Sequence, residues 1–184
     1  MIPGTMQHMP LNISGLLSHA AQTHGSREIV ARQIEGPQGD HGLWRYDYTA
    51  FAKRVAQGAH FLGKLGINDG GMVSSLAWNT HRHMELMYAV PCIGAVLHTA
   101  NPRLSLEQLA FTINHAGSTV LFHESNMAAQ VAQLKPLLPN VKHYIVLNAA
   151  DYDARVAGEA ETFNWPILDE TGGALLCYLS LIHI

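Results

Sequence analysis

At 184 residues, 48% of them hydrophobic and 14% charged, the chain is long and apolar enough to bury a core of ordinary domain size, which excludes intrinsic disorder. Its 11 Lys and Arg are scattered among 14 Asp and Glu for a formal charge of −3, so no basic stripe is available to neutralise a phosphate backbone and nucleic acid is not an expected partner. The opening residues lack the charged and apolar regions of a secretory signal, and the longest apolar run, Leu86–Leu97, is 12 residues broken by Pro91 and Gly94; a cytoplasmic location without a transmembrane segment is the expectation.

The spacing of Leu16, Leu17, Ala20 and Ala21 predicts an amphipathic helix over Ile13–Thr23, closed by Gly25. Two strand-like stretches, Glu28–Ile34 and Leu43–Tyr48, flank the Gly- and Pro-rich loop 35–42 and predict an antiparallel hairpin. Thr49 is placed to cap a long helix reaching Leu65, with Phe51, Val55, Ala59, Leu62 and Leu65 on one face and Gly66 as its left-handed stop. A turn at Asn68–Gly71 leads into a strand from Met72 to Trp78, Asn79 is placed to cap a helix through Glu85 and Tyr88, and a strand follows over Ala95–Thr99. Ser105 and Gln108 form a capping box at the head of a helix to His115. A strand over Thr119–His123, a helix over Ser125–Lys135, a strand over Lys142–Leu147 and a last strand over Ala174–Tyr178 complete the pattern, with 148–173 irregular. Strands alternating with helices require crossover connections, so the fold class is α/β: a mostly parallel sheet flanked by helices, after an early antiparallel hairpin.

Several patterns that imitate chemistry have simpler readings. Gly58-x-x-x-x-Gly63-Lys64 matches most of a phosphate-binding loop, but the hydroxyl position is Leu65 and the stretch lies inside a helix whose amides are already bonded. His81, His83 and Glu85 invite a metal, yet on a helix His83 falls off the side shared by the other two, and a structural or surface role is expected. His98, His115, His123 and His143 lie near element ends, where capping or solvent accounts for them. Cys92 and Cys177 are far apart and read as reduced thiols used as small hydrophobes; the sequon Asn12-Ile13-Ser14 reads as chance. No Gly-x-Ser-x-Gly elbow or catalytic cysteine context is present.

The segment Val73-Ser74-Ser75-Leu76-Ala77-Trp78-Asn79-Thr80-His81-Arg82-His83-Met84-Glu85-Leu86-Met87-Tyr88-Ala89-Val90-Pro91, with Gly94-Ala95-Val96-Leu97-His98-Thr99-Ala100-Asn101-Pro102-Arg103-Leu104, resembles the AMP-forming acyl-CoA synthetases of the adenylate-forming superfamily, most closely the medium- and long-chain fatty acyl branch. Arg27-Glu28-Ile29-Val30, Tyr46-Asp47-Tyr48-Thr49, Asn114-His115-Ala116 and Trp165-Pro166 extend the resemblance over roughly Thr5 to Tyr178. Asp69-Gly70-Gly71 stands where the family has Pro-Gly-Asp, and after Cys177-Tyr178 the family's Thr-Ser-Gly-Thr-Thr-Gly-x-Pro-Lys-Gly phosphate loop is matched here only by Ser180 within Leu179-Ser180-Leu181-Ile182-His183-Ile184.

The resemblance implies that 1–178 is an incomplete portion of the large N-terminal domain of a fatty acid–CoA ligase and that 179–184 is an aberrant tail, foreign to the gene. It implies ATP, Mg²⁺ and coenzyme A for a full-length parent, with fatty acid as the further substrate and homodimerisation as an option. It assigns no catalytic residue and no metal ligand to this chain, leaves Ser180 as a remnant of the nucleotide-binding loop, and implies that the chain alone is inactive and binds none of these cofactors tightly. The alternative is a stand-alone α/β nucleotide-binding module or a non-enzymatic interaction fragment; the former requires a Gly-rich loop after a strand, which the sequence lacks.

Overall fold

The structure, a computed structural model, describes residues 4–5, 9–34 and 42–179. Helix α1 (Ile13–Thr23) precedes the hairpin β1 (Glu28–Arg32) and β2 (Leu43–Asp47), which pair antiparallel from Glu28 opposite Asp47 to Arg32 opposite Leu43. Most of the hairpin loop, 35–41, lies outside the described residues. There follow α2 (Tyr48–Lys64), β3 (Met72–Leu76), α3 (His81–Cys92), β4 (Val96–Thr99), α4 (Leu106–Ala116), β5 (Val120–His123), α5 (Ala128–Leu134), β6 (His143–Val146), α6 (Ala154–Val156) and β7 (Leu175–Leu176). The larger sheet has the order β6-β5-β3-β4-β7, and each of its pairings is parallel.

Alternation along the strands sorts the side chains into two cores, because successive residues of a strand face opposite sides. Val73, Leu97, Val120, Phe122 and Ile145 meet Phe51, Val55, Leu62, Leu86 and Val90 of α2 and α3 on one face. Leu76 and Leu121 meet Leu109, Ile113, Val131 and Leu134 of α4 and α5 on the other. The run Leu86–Leu97 is mostly buried, as its composition implies, and no helix among the described residues is long and apolar enough to cross a membrane.

Two expected caps are displaced by one or two residues. Asp47, not Thr49, caps α2, its Oδ1 accepting from Ala50 N at 2.8 Å. Thr80, not Asn79, caps α3, its Oγ1 accepting from His83 N at 3.3 Å. In both places a side-chain oxygen at the true boundary reaches an amide of the first turn, and the neighbouring candidate sits at the wrong phase to do so. The Ser105–Gln108 capping box forms in both directions, at 3.1 and 3.2 Å. The helix expected over Ser125–Lys135 has its α-helical part at α5, with a tight 3₁₀ turn at each end. Part of the irregular 148–173 stretch is ordered after all: Asn148 heads a wide helical turn in which Asp153 N donates to Asn148 O at 3.1 Å, and α6 follows.

Glycine is demanded at Gly94, where φ is +84° and an added Cβ would lie 2.4 Å from Asp69 Oδ1. Asn12 joins the start to the far end: its amide donates to Leu168 O at 3.0 Å and accepts from Leu168 N at 2.9 Å.

Candidate functional site

A parallel sheet places the carboxyl ends of all its strands along one edge, where ligands of open α/β folds bind. Here that edge carries Trp78, Asn79 and Thr80 after β3, the 100–103 turn after β4, Glu124 after β5 and Cys177–Tyr178 after β7.

Beside β7, a cavity of about 500 Å³ is lined by Leu104, Glu107, Gln108, Phe111, Thr112, Tyr178 and Leu179. Tyr178 forms one wall and is held from two directions. Its hydroxyl and His115 Nδ1 share a hydrogen bond of 2.6 Å, and its ring meets the edge of His98 at 5.0 Å between centroids. His115 in turn stacks on Phe111 at 5.5 Å. Behind Tyr178 the chain of bonds continues inward: His98 Nδ1 lies 2.8 Å from Ser74 Oγ, which lies 2.7 Å from Ser118 Oγ. His98 is therefore neither solvated nor a cap. It is 1% exposed in β4, burial pushes its pKa down to about 4, and it stays a neutral imidazole. Cys177 is exposed, with Sγ 3.2 Å from Thr99 Oγ1, so only Cys92 is the buried small hydrophobe expected of both thiols. Ser180 lies outside the described residues.

The His81, His83 and Glu85 triplet is split among three tasks, all of them buried. His81 stacks on Trp44 of the hairpin at 4.3 Å and 9°, and burial, reinforced by Arg82, pushes its pKa down to about 3. His83 turns to the sheet, with Nε2 2.9 Å from Ser75 Oγ and Nδ1 3.1 Å from the Trp78 carbonyl. Glu85 accepts both arms of Arg54, at 2.6 and 2.9 Å, and Arg54 also donates to Asp153 at 2.6 Å. Arg82 completes the network with donations to Asp153 Oδ2 at 2.7 and 3.1 Å and to the Leu147 carbonyl at 3.2 Å. Burial pushes the Glu85 carboxyl up against the pull of Arg54, whereas the hydrogen bonds from Arg82 and Arg54 overcome burial at Asp153 and hold it below the usual range. The network fastens α2 and α3 to the wide turn after β6. Sequence spacing could separate His83 from the other two, but Arg54 and Asp153 are 99 residues apart and had no visible link.

The imitation phosphate loop is a packing surface. Gly58 lets α2 approach α3, since a Cβ there would meet Ala89 Cβ and Tyr152 OH at 3.3 Å, and Lys64 pairs with Glu159 at 2.6 Å. Among the described residues no group of three or more His, Cys, Asp or Glu is arranged to hold a metal ion.

Comparison with known proteins agrees with this frame. Residues 17–179 match the family model described as AMP-binding enzyme. The chain is 35% identical to 3-methylmercaptopropionyl-CoA ligase of Ruegeria lacuscaerulensis and 32% identical to medium-chain-fatty-acid–CoA ligase of Ectopseudomonas oleovorans, in each case over 96% of this chain and 34% of the relative. It is 36% identical to long-chain-fatty-acid–CoA ligase of Thermus thermophilus over 79% of this chain and 26% of that protein. The chain thus spans about a third of the length of the curated relatives it matches. A long-chain-fatty-acid-CoA ligase of Archaeoglobus fulgidus shares the fold with a TM-score of 0.75 at 19% identity, covering 97% of this chain and 36% of that one. With its parallel sheet, flanking helices and hairpin, and with the family match running from α1 to the residue after Tyr178, the chain belongs to the AMP-binding enzyme family.

Proposed function

We propose that this chain forms the opening part of a cytoplasmic AMP-forming acid–CoA ligase that activates a medium- or long-chain fatty acid. In that reaction the fatty carboxylate attacks the α-phosphate of ATP, pyrophosphate leaves, and the thiol of coenzyme A then displaces AMP from the acyl-adenylate. The observation that carries the reading is the family match over 17–179, joined to fatty acid–CoA ligases among the relatives.

The residues present do not by themselves fit ATP–Mg²⁺. The described carboxylates that are buried, Glu85 and Glu124, are turned to Arg54 and to Thr80, and among the described residues no glycine-rich turn follows a strand of the larger sheet. We accordingly assign no chemical step to a side chain of this chain. Its part is to build the sheet and to fix Tyr178 at the exit of β7. Residues 179–184, Leu-Ser-Leu-Ile-His-Ile, offer Ser180 as the sole hydroxyl for a polyphosphate and no glycine or lysine, so the chain on its own is inactive in this reading.

The test combines calorimetric titration with ATP–Mg²⁺ and fatty-acid-dependent pyrophosphate release. The 184-residue chain is expected to give neither. A chimera in which residues 13–178 replace the matching span of a medium-chain fatty acid–CoA ligase is expected to release pyrophosphate with octanoate or palmitate. Turnover by the chain alone, or a folded chimera that binds ATP and activates no fatty acid, refutes the proposal.

A further inference from the structure

Helix α4 turns one stripe of its surface away from the core. Leu109, Ala110, Thr112 and Ile113 are buried toward the sheet and α5, whereas Glu107, Phe111 and His115 are exposed. Their spacing of four residues stacks them on one side of the helix. Phe111 is 63% exposed, and an aromatic ring presented in this way is the kind of side chain that anchors contacts between proteins. Beside the stripe lies the step between α4 and the end of β7, the cavity of about 500 Å³ whose wall includes Tyr178.

The stripe is also held in place before anything touches it. Phe111 stacks on His115 at 5.5 Å and 17°, and Tyr178 OH holds His115 Nδ1 at 2.6 Å from the sheet side. The helix beneath is fixed by the Ser105–Gln108 box at its head and by Gly117, at a φ of +71°, at its end. Side chains that are already ordered lose little entropy on association.

The pattern of charge selects the partner. A carboxylate stands one turn before Phe111 and an imidazole one turn after it, each about 6 Å along the axis. A two-fold axis through Phe111, perpendicular to the helix, lays a second copy of the stripe antiparallel on the first, which is the self-matching arrangement of an isologous contact. Each Phe111 then meets the partner's Phe111, and each Glu107 meets the partner's His115, so both polar contacts form together. A parallel arrangement would set Glu107 against the partner's Glu107 instead, and like charges in contact are disfavoured.

We propose that α4 is a self-association face on which a second copy of this chain docks antiparallel, Phe111 against Phe111. Tyr178 donates to Nδ1 of His115, which leaves the ring proton on Nε2 to be donated to the carboxylate of the partner's Glu107. The step beside β7 receives the flank of the partner's helix. The contact uses no residue of the ligase chemistry and does not rest on that reading.

The experiment is sedimentation velocity of the full 184-residue chain from about 1 to about 200 µM. Three helical turns offer less than the roughly 800 Å² per partner of a standard interface, so a monomer–dimer equilibrium with Kd of about 10–100 µM is expected. Phe111→Glu, at an exposed position whose folding is checked by circular dichroism, is expected to be monomeric throughout. Glu107→Lys is expected to weaken the dimer about tenfold or more, and the double variant Glu107→Lys with His115→Glu, which reverses the pair, is expected to recover most of the loss. A parent chain that is monomeric at every concentration overturns the proposal and leaves the face to another occupant. Association that Phe111→Glu does not alter overturns it by placing the contact elsewhere, and assemblies larger than a dimer overturn it because a two-fold contact closes at two. A double variant no better than Glu107→Lys alone overturns the antiparallel pairing.

Discussion

Acidification should unfold this protein through its buried histidines, and His81 allows the effect to be isolated. In the native state the pKa of His81 is about 3 and that of His98 about 4, against 6.5 for a free imidazole. A base whose folded pKa is depressed takes up its proton in the unfolded state first, so stability falls as pH drops below about 6.5 and continues to fall toward the folded value. Between pH 7.5 and 5.5 the proton uptake of one unfolded imidazole amounts to about 1.3 kcal/mol, and for the two residues to about 2.6 kcal/mol. Glu85, whose carboxyl burial pushes up, works in the opposite sense, and Asp153 acts with the histidines at lower pH. The net slope therefore mixes several groups, but a difference between variants does not. His81→Phe retains a flat ring on Trp44 and removes two ring nitrogens that have no hydrogen bond among the described residues. Urea unfolding at pH 7.5 and 5.5 should show the variant at least as stable as the parent at the higher pH and losing about 1.3 kcal/mol less on acidification. An equal loss in both proteins would refute the placement of a neutral, buried His81.

Other substitutions probe separate parts of the fold. Glu85→Ala leaves Arg54 without its buried bidentate partner and is expected to cost about 3–5 kcal/mol in chemical denaturation, whereas Lys64→Ala, which removes an exposed ammonium from Glu159, should cost no more than about 1 kcal/mol. Gly94→Ala combines a left-handed φ of +84° with a Cβ 2.4 Å from Asp69 Oδ1, and a loss of about 1–3 kcal/mol should be read from thermal melts. Ser105→Ala removes one half of a capping box and should lower stability by about 1 kcal/mol, with Ser105→Asp restoring most of it.

Much of the fold was legible because it rests on local rules. The 3.6-residue spacing of Phe51, Val55 and Leu62, the Ser105–Gln108 box and the alternation of strands with helices each depend on neighbours a few residues apart. The α/β class and the parallel sheet follow from them. The capping errors at Thr49 and Asn79 arose because several adjacent oxygens compete at a helix start and only the backbone phase selects one. The wide turn after Asn148 was missed since its stability comes from Asp153, held by arginines on two distant helices. The candidate site was less legible for the same reason. His98, Ser74, Ser118, His115 and Tyr178 form one connected set, yet the partners are separated by 24 to 80 residues in sequence, and no periodicity links them.

The clasp between Asn12 and Leu168 sets a schedule for synthesis. The partners are 156 residues apart, so at ribosomal rates of about 5–20 residues per second the Asn12 amide emerges roughly 8–30 s before its partner exists. During that interval α1 can dock on the helices already made, but its leading end stays untethered and its apolar side is accessible to a chaperone. Closure of the N-terminal end thus waits until the chain has been made through Leu168, and slowing translation downstream of α6 should lengthen the period of chaperone engagement without changing the final fold.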